Sequence, residues 1–272
     1  MPKHKPYEIS QGFDDSTKNF KRADTKLAML VYAALFLAFV CGGWFMASVA
    51  GGFFSEGTLY RHEPMPDVQL RWFYVQLTIV TVFTGLIFLL AKLRKQKVLS
   101  SSFNKSNTLK SLRAGLIICA AVYLLSLISP AHRPHNLRIR EDLDFVLVST
   151  YMFTIVIATG FFEEFTFRAY IGPRLYGSFK RKDMSMVFGG FLFAIMHGAI
   201  EIGAILLGGS PTWIWNMSFS RIILLTVVGA LLQWFYAKYN NIWGPVAVHA
   251  FANSLSFAPL FMFEFVSYCC SV

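Results

Sequence analysis

Charge is what this chain has least of. Asp, Glu, Lys and Arg together make up 15% of its 272 residues, against roughly a quarter in soluble domains. That deficit excludes a water-soluble globule with an ordinary charged shell. Cysteine is also scarce. The four present are Cys41, Cys119, Cys269 and Cys270, two of them inside apolar runs and none in a zinc-binding spacing. A disulfide framework and a structural zinc site are therefore not expected. The tail Cys269-Cys270-Ser271-Val272 has poor middle positions for a prenylation box and reads as simple terminal cysteines. There is no His-Glu-x-x-His and no Gly-x-Ser-x-Gly, so the zincin and serine-hydrolase arrangements are excluded. No repeat, low-complexity tract or cleavable signal peptide is evident, because the first apolar run is too long for a signal h-region and reads as an anchor.

What the chain has instead is hydrophobic length. Hydrophobic residues make up 55%, with 28 Phe, and they gather in runs of the length that crosses a bilayer. These are Leu27–Phe54, Trp72–Ala91, the shorter Ala114–Ile128, Phe145–Phe162, Met184–Ile200, Ile222–Ala237 and Ile242–Val266. Residues Ala199–Gly209 add either a short extra helix or a re-entrant piece. The expected fold is an all-α, polytopic transmembrane helix bundle of about eight spans, seven if that piece is not counted.

The formal charge of +10 is distributed as a membrane topology and implies no nucleic-acid partner. Six cations precede the first run, two follow it (Arg61 and Arg71), seven lie in Lys92–Arg113, three in Arg133–Arg140 and five in Arg168–Lys182. Alternate loops are basic, which by the positive-inside rule predicts a cytosolic N-terminus, with some attraction to anionic lipid. The expected organisation is a cytosolic segment 1–25 and one bundle 26–272. Within the bundle, spans in 26–143 read as scaffold, and 144–266 carries the polar residues.

Those polar residues are the informative feature. Ionisable groups at membrane depth cost roughly 2.5–3.5 kcal/mol each, so they mark functional sites or buried ion pairs. Glu163 and Glu164 end an apolar run, Arg168 follows, and His197 and His249 sit singly in later apolar helices. Residues four apart stack on a helix whereas neighbours diverge by about 100°. Glu164 is thus predicted to pair with Arg168, leaving Glu163 without a local partner and suited to proton exchange. The helix is expected to stop at Gly172-Pro173. Asn253 lies four residues after His249 and offers a second convergent donor, a pairing that suits an oxyanion. Glu201 stands four after His197 and reads as peripheral or as an imidazole orienter, and Glu264 reads as interfacial. Each of these patterns taken singly also fits a purely packing role: an ion pair fixing a helix, or hydrogen-bonded core histidines.

Taken in order, Glu163-Glu164-x-x-x-Arg168, Phe193-x-x-x-His197 and His249-x-x-x-Asn253 resemble the three motifs of the CAAX protease and bacteriocin-processing (Abi) family, which includes the type II CAAX prenyl endopeptidases. The resemblance spans about Phe145–Leu260; Ala169, where many members carry glycine, is a small departure. It implies an intramembrane endopeptidase with a cavity open toward the cytosol. Glu163 and His197 would activate water, His249 and Asn253 would hold the oxyanion, and Glu164, Arg168 and Phe193 would support the site. A catalytic zinc generally needs three protein ligands, which Glu163, His197 and His249 could supply, but the metal-independent mechanism explains Asn253 better. Partners implied are the lipid bilayer and a peptide or lipidated-protein substrate such as a CAAX-type tail or a bacteriocin or pheromone precursor. A non-catalytic relative giving bacteriocin self-immunity or binding a membrane-protein partner is the alternative. A proton-coupled carrier is a third reading, but the two-half symmetry expected of one is missing. Short loops without a sorting signal suit a bacterial cytoplasmic membrane; an endoplasmic reticulum location also fits.

Overall fold

The computed structural model describes residues 9–18, 20–49, 66–96, 102–128, 137–139, 149, 153, 160–179, 181–199, 202–203, 206 and 218–265. Where the described residues cover the long apolar runs they form helices, the arrangement in which a segment satisfies its own backbone polar groups. α2 spans Arg22–Val49, α3 Pro66–Leu93 and α4 Lys105–Ile128, preceded by a short α1, Gln11–Thr17. Then come α5 Phe162–Glu164, a π-helical segment Phe165–Ile171, α6 Gly172–Phe179, α7 Lys182–His197, α8 Phe219–Tyr239 and α9 Trp243–Met262. Apart from helices, the described residues hold one antiparallel pair of three-residue strands, β1 Leu137–Ile139 and β2 Phe263–Phe265. The last apolar run therefore leaves the helix at Met262, and Glu264 stands opposite Arg138 in the strand register.

Among the described residues, Arg22–Phe45 and Phe219–Tyr239 are long and apolar enough to cross a membrane, and Leu77–Leu93 is a shorter apolar helix. Most of the run Phe145–Phe162, and Glu201, Cys269 and Cys270, lie outside the described residues. After α7 the amide of Ile202 donates to Gly198 at 3.0 Å and that of Leu206 to Ile202 at 3.1 Å, so these positions carry helical bonding. Cys41 and Cys119 are free thiols.

One end of the bundle is tied by polar groups. Asp24, at the start of α2, accepts from Gln96 Nε2 beyond the end of α3 at 2.9 Å. Gln96 Oε1 in turn accepts from Arg174 in α6. Asp14 of α1 accepts from Tyr176 at 2.8 Å and pairs with Lys182 at 3.2 Å. Ser10 donates its hydroxyl to the Ala237 carbonyl at 3.0 Å, and Asn107 of α4 donates to the Tyr239 carbonyl at 2.8 Å. Phe13, 1% exposed, fills the slot between the rings of Tyr176 and Tyr236.

Small residues set the helix spacing, as the glycines of the fifth run suggest. A Cβ on Gly229 of α8 would lie 2.8 Å from the Cα of Gly190 in α7, and one on Gly190 would run into the Thr226 carbonyl. The two backbones therefore touch.

The helix expected to stop at Gly172-Pro173 does not. It continues to Phe179 with Gly172 in right-handed helical geometry. Proline breaks an α-helix by losing a donor and clashing with the carbonyl four residues back. Here the turns before it are π-wound, with the Gly172 amide bonding five residues back to Phe167. The wider turn makes room for the ring, and such turns often sit at functional positions. Arg174 then donates from Nη1 to the Tyr170 carbonyl and lays its guanidinium on the Tyr170 ring, 3.7 Å from the centroid.

Candidate active site

Three helical segments bring the polar residues together. The first is α5 with its π extension, which carries Glu163, Glu164 and Arg168. Glu164 and Arg168 are wholly buried and form a two-pronged pair, Arg168 Nε to Glu164 Oε2 at 2.9 Å and Nη2 to Oε1 at 3.3 Å. The i, i+4 pairing read from the sequence survives the π winding. Burial of an ion pair is tolerated only with such geometry and further hydrogen bonds, and the further bond comes from α9.

α9 is aimed by a two-asparagine turn. Asn240 ends α8 in the left-handed conformation, φ 45°, which asparagine tolerates better than most residues. Asn241 caps α9, its Oδ1 accepting from the Trp243 amide at 3.0 Å. Its Nδ2 donates to the Asn104 carbonyl at 3.1 Å and to Thr108 at 3.0 Å, fixing the turn to the start of α4. Ser111 Oγ accepts from the Gly244 amide at 3.0 Å. Six residues into this anchored helix, about 9 Å along its axis at 1.5 Å per residue, stands His249. Its Nδ1 lies 2.9 Å from Glu164 Oε1.

The third contributor is the end of α7. His197 Nδ1 lies 2.8 Å from the Phe193 carbonyl one turn back. A carbonyl and an arginine-paired carboxylate can only accept, so both imidazoles must carry their proton on Nδ1 here. Both Nε2 atoms are thereby released to the same place. His197 Nε2 is 3.7 Å and His249 Nε2 3.8 Å from one oxygen, Glu163 Oε2. Those separations exceed a direct hydrogen bond, and that oxygen has no hydrogen-bond partner among the described residues. Glu163 and His197 keep 20% and 25% of their side-chain surface exposed, while His249 keeps 7%.

Phe193 is the floor of this arrangement. The Arg168 guanidinium lies over its ring at 4.6 Å, His197 meets it edge-on at 4.5 Å and His249 at 5.7 Å. One aromatic ring thus touches a residue from each contributing segment. Asn253, half-buried, follows His249 by one turn on α9.

The sequence spacings anticipate the Glu164–Arg168 pair. They do not anticipate that Glu164 also holds His249, 85 residues away, nor that Glu163 faces two imidazoles at once. The one local signal for the histidine tautomers is the four-residue step from Phe193 to His197. Among the described residues, no group of three or more His, Cys, Asp and Glu side chains has the geometry to hold a metal ion.

The arrangement can do acid–base chemistry on one small molecule lying against Glu163. The carboxylate and the His197 Nε2 lone pair face it from two sides, and His249 presents a third nitrogen whose orientation is fixed. Compared with known proteins, residues 145–255 match a family model, type II CAAX prenyl endopeptidase Rce1-like. No curated protein and no solved structure gives a match.

Proposed function

Starting from the relation of its segment 145–255 to the type II CAAX prenyl endopeptidases, an integral-membrane helical protease family, we propose that the chain hydrolyses a peptide bond in a membrane-associated peptide or protein. The carrying observation is the convergence of two Nδ1-anchored imidazoles on Glu163 Oε2. Glu163, aided by the His197 Nε2 lone pair, takes a proton from water as the hydroxide adds to the scissile carbonyl carbon. The resulting oxyanion is met by His249 Nε2–H and the Asn253 side chain. Glu163 then returns the proton to the leaving amine as the C–N bond breaks.

The geometry sets a condition on His249. Because Glu164 fixes its proton on Nδ1, it can donate from Nε2 only as the doubly protonated imidazolium. Glu164 and Glu163, both within reach, supply the negative charge that keeps that cation in a poorly solvated site. Arg168 keeps Glu164 ionised, so it acts on the reaction through two intermediaries.

The same reading extends to topology, substrate and location. The basic end of the bundle faces the cytosol, the full chain crosses the bilayer seven or eight times, and the substrate is a CAAX-type tail or a bacteriocin or pheromone precursor at a bacterial cytoplasmic membrane. The test is cleavage of a pool of prenylated tails and leader peptides by purified protein in liposomes, wild type beside Glu163→Gln and His249→Ala. Cleavage lost in both folded variants supports the reading. A folded wild type that cleaves none of the pool overturns it and points to the binding-only relative.

A further inference from the structure

The segment related to proteases begins at residue 145, yet one hydrogen bond joins the site's floor to the scaffold half. Tyr32 of α2, 8% exposed, donates its phenol to the main-chain carbonyl of Leu192 in the middle of α7, 2.9 Å away and 160 residues on. In a regular helix that carbonyl already serves the amide four residues on, so the phenol is a second donor on one oxygen. Leu192 immediately precedes Phe193, whose carbonyl sets the proton on His197 and whose ring underlies Arg168, His197 and His249. The Tyr32 ring reaches the same floor by a second route. It meets Phe167 edge-on at 6.2 Å, and Phe167 meets Phe193 edge-on at 5.3 Å.

We infer that Tyr32 is a positioning residue for the hydrolytic site, fixing the rotation and depth of α7 so that His197 Nε2 is held toward Glu163. The inference rests on the hydrolytic reading of the site given above. α7 lies against α8 through glycine backbones at Gly190 and Gly229, a contact that sets how closely the two helices approach. The phenol supplies a directional tie where the neighbouring helix supplies only shape. It also explains why the scaffold spans carry a buried hydroxyl beside the site although they contribute none of its acids or histidines.

The perturbation is Tyr32→Phe, which keeps the ring on Phe167 and removes only the hydroxyl. One neutral hydrogen bond corresponds to roughly a three- to tenfold effect. The expected result is kcat lowered by about that factor with KM within about twofold, and unfolding temperature nearly unchanged. In a His197→Ala background the same substitution should leave the residual rate where it is, because the group being positioned is gone. A readout independent of turnover is the imidazole spectrum of protein labelled with 15N-histidine. Wild type should show His197 protonated at Nδ1, and Tyr32→Phe should broaden or mix that signal. Equal kinetic losses in the His197→Ala and wild-type backgrounds, or an unchanged His197 signal, would overturn the positioning role. A wild type that cleaves nothing while its His197 signal still responds to Tyr32→Phe would sink the hydrolytic reading and leave the mechanical tie standing.

Discussion

Adjacent glutamates with opposite assignments give the sharpest prediction. Glu163→Gln and Glu164→Gln are the same chemical change one residue apart, yet the proposed mechanism assigns the first to rate alone and the second to stability as well as to the His249 contact. The Glu163 oxygen that faces both histidines has no hydrogen-bond partner among the described residues, and the side chain keeps 20% of its surface exposed. An amide there costs the fold little. It cannot take a proton, so the rate should fall by the roughly 10²- to 10⁴-fold attributed to a general base, equal to about 3–6 kcal/mol of barrier at about 1.4 kcal/mol per decade. Glu164 is wholly buried and meets Arg168 at 2.9 Å and His249 at 2.9 Å. Removing its charge leaves a buried guanidinium whose Nη1 already has no hydrogen-bond partner among the described residues. Breaking such a pair costs about 3–5 kcal/mol of stability, and a cation–π contact of about 2 kcal/mol with Phe193 offsets only part of that. The assay is thermal unfolding in detergent by tryptophan fluorescence, beside cleavage rate per folded molecule. Glu163→Gln should melt like wild type and be inactive, whereas Glu164→Gln should melt on the order of 10 °C lower. A Glu163→Gln that keeps a tenth of the activity, or a Glu164→Gln that melts with wild type, would refute the reasoning.

Other outcomes follow from the same contacts. Arg168→Lys keeps the charge but cannot bond Glu164 with two nitrogens, so His249 should lose its fixed orientation; kcat should drop about tenfold or more, measured on the same peptide. Gly229→Val puts branched carbon where the Gly190 backbone lies 2.8 Å away, an overpacking that typically costs about 1–3 kcal/mol, read as a lowered unfolding temperature. Asn241→Ala removes a helix cap of about 1 kcal/mol together with both anchors on α4; it should lower kcat more than stability, since His249 rides on that helix. A strong zinc chelator should leave cleavage unchanged, and loss of activity restored by added zinc would contradict the metal-free route.

The π winding connects several of these effects. It lets one helix pass Pro173 without breaking and so places Arg168 inside the site and Arg174 in the polar network at the bundle's end on a single continuous rod. The polar cluster of Asp24, Gln96 and Arg174 is therefore tied to the same rod as Glu164. The packing role that each polar motif fits when read singly is present too: Arg168 does fix a helix, and His197 does bond a core carbonyl. On the proposed mechanism packing and chemistry use the same side chains, the packing bonds taking Nδ1 and leaving Nε2 for the reaction.

What the sequence determined by itself is whatever repeats along one helix. Among the described residues apolar runs set where helices form, with edges displaced by as much as the nine residues from Ala114 back to Lys105, because a helix continues past its apolar stretch as long as its backbone bonds can be made. The four-residue step gave Glu164 with Arg168, since that spacing fixes neighbours without help from the rest of the chain; the same step joins His197 to the Phe193 carbonyl, a contact not drawn from the sequence. The expected stop at Gly172-Pro173 failed because the turns that lead into it are π-wound, the Gly172 amide bonding five residues back to Phe167, and the chain resumes α-helix through Pro173. Everything that joins helices was decided by tertiary structure: His249 on Glu164, both Nε2 atoms on Glu163, Tyr32 on Leu192. Which face one helix turns to another depends on how closely their backbones approach, at Gly190 and Gly229 above all, and on where the Asn240–Asn241 turn points α9. Periodicity names the residues on a face, and only close packing in three dimensions says what that face meets.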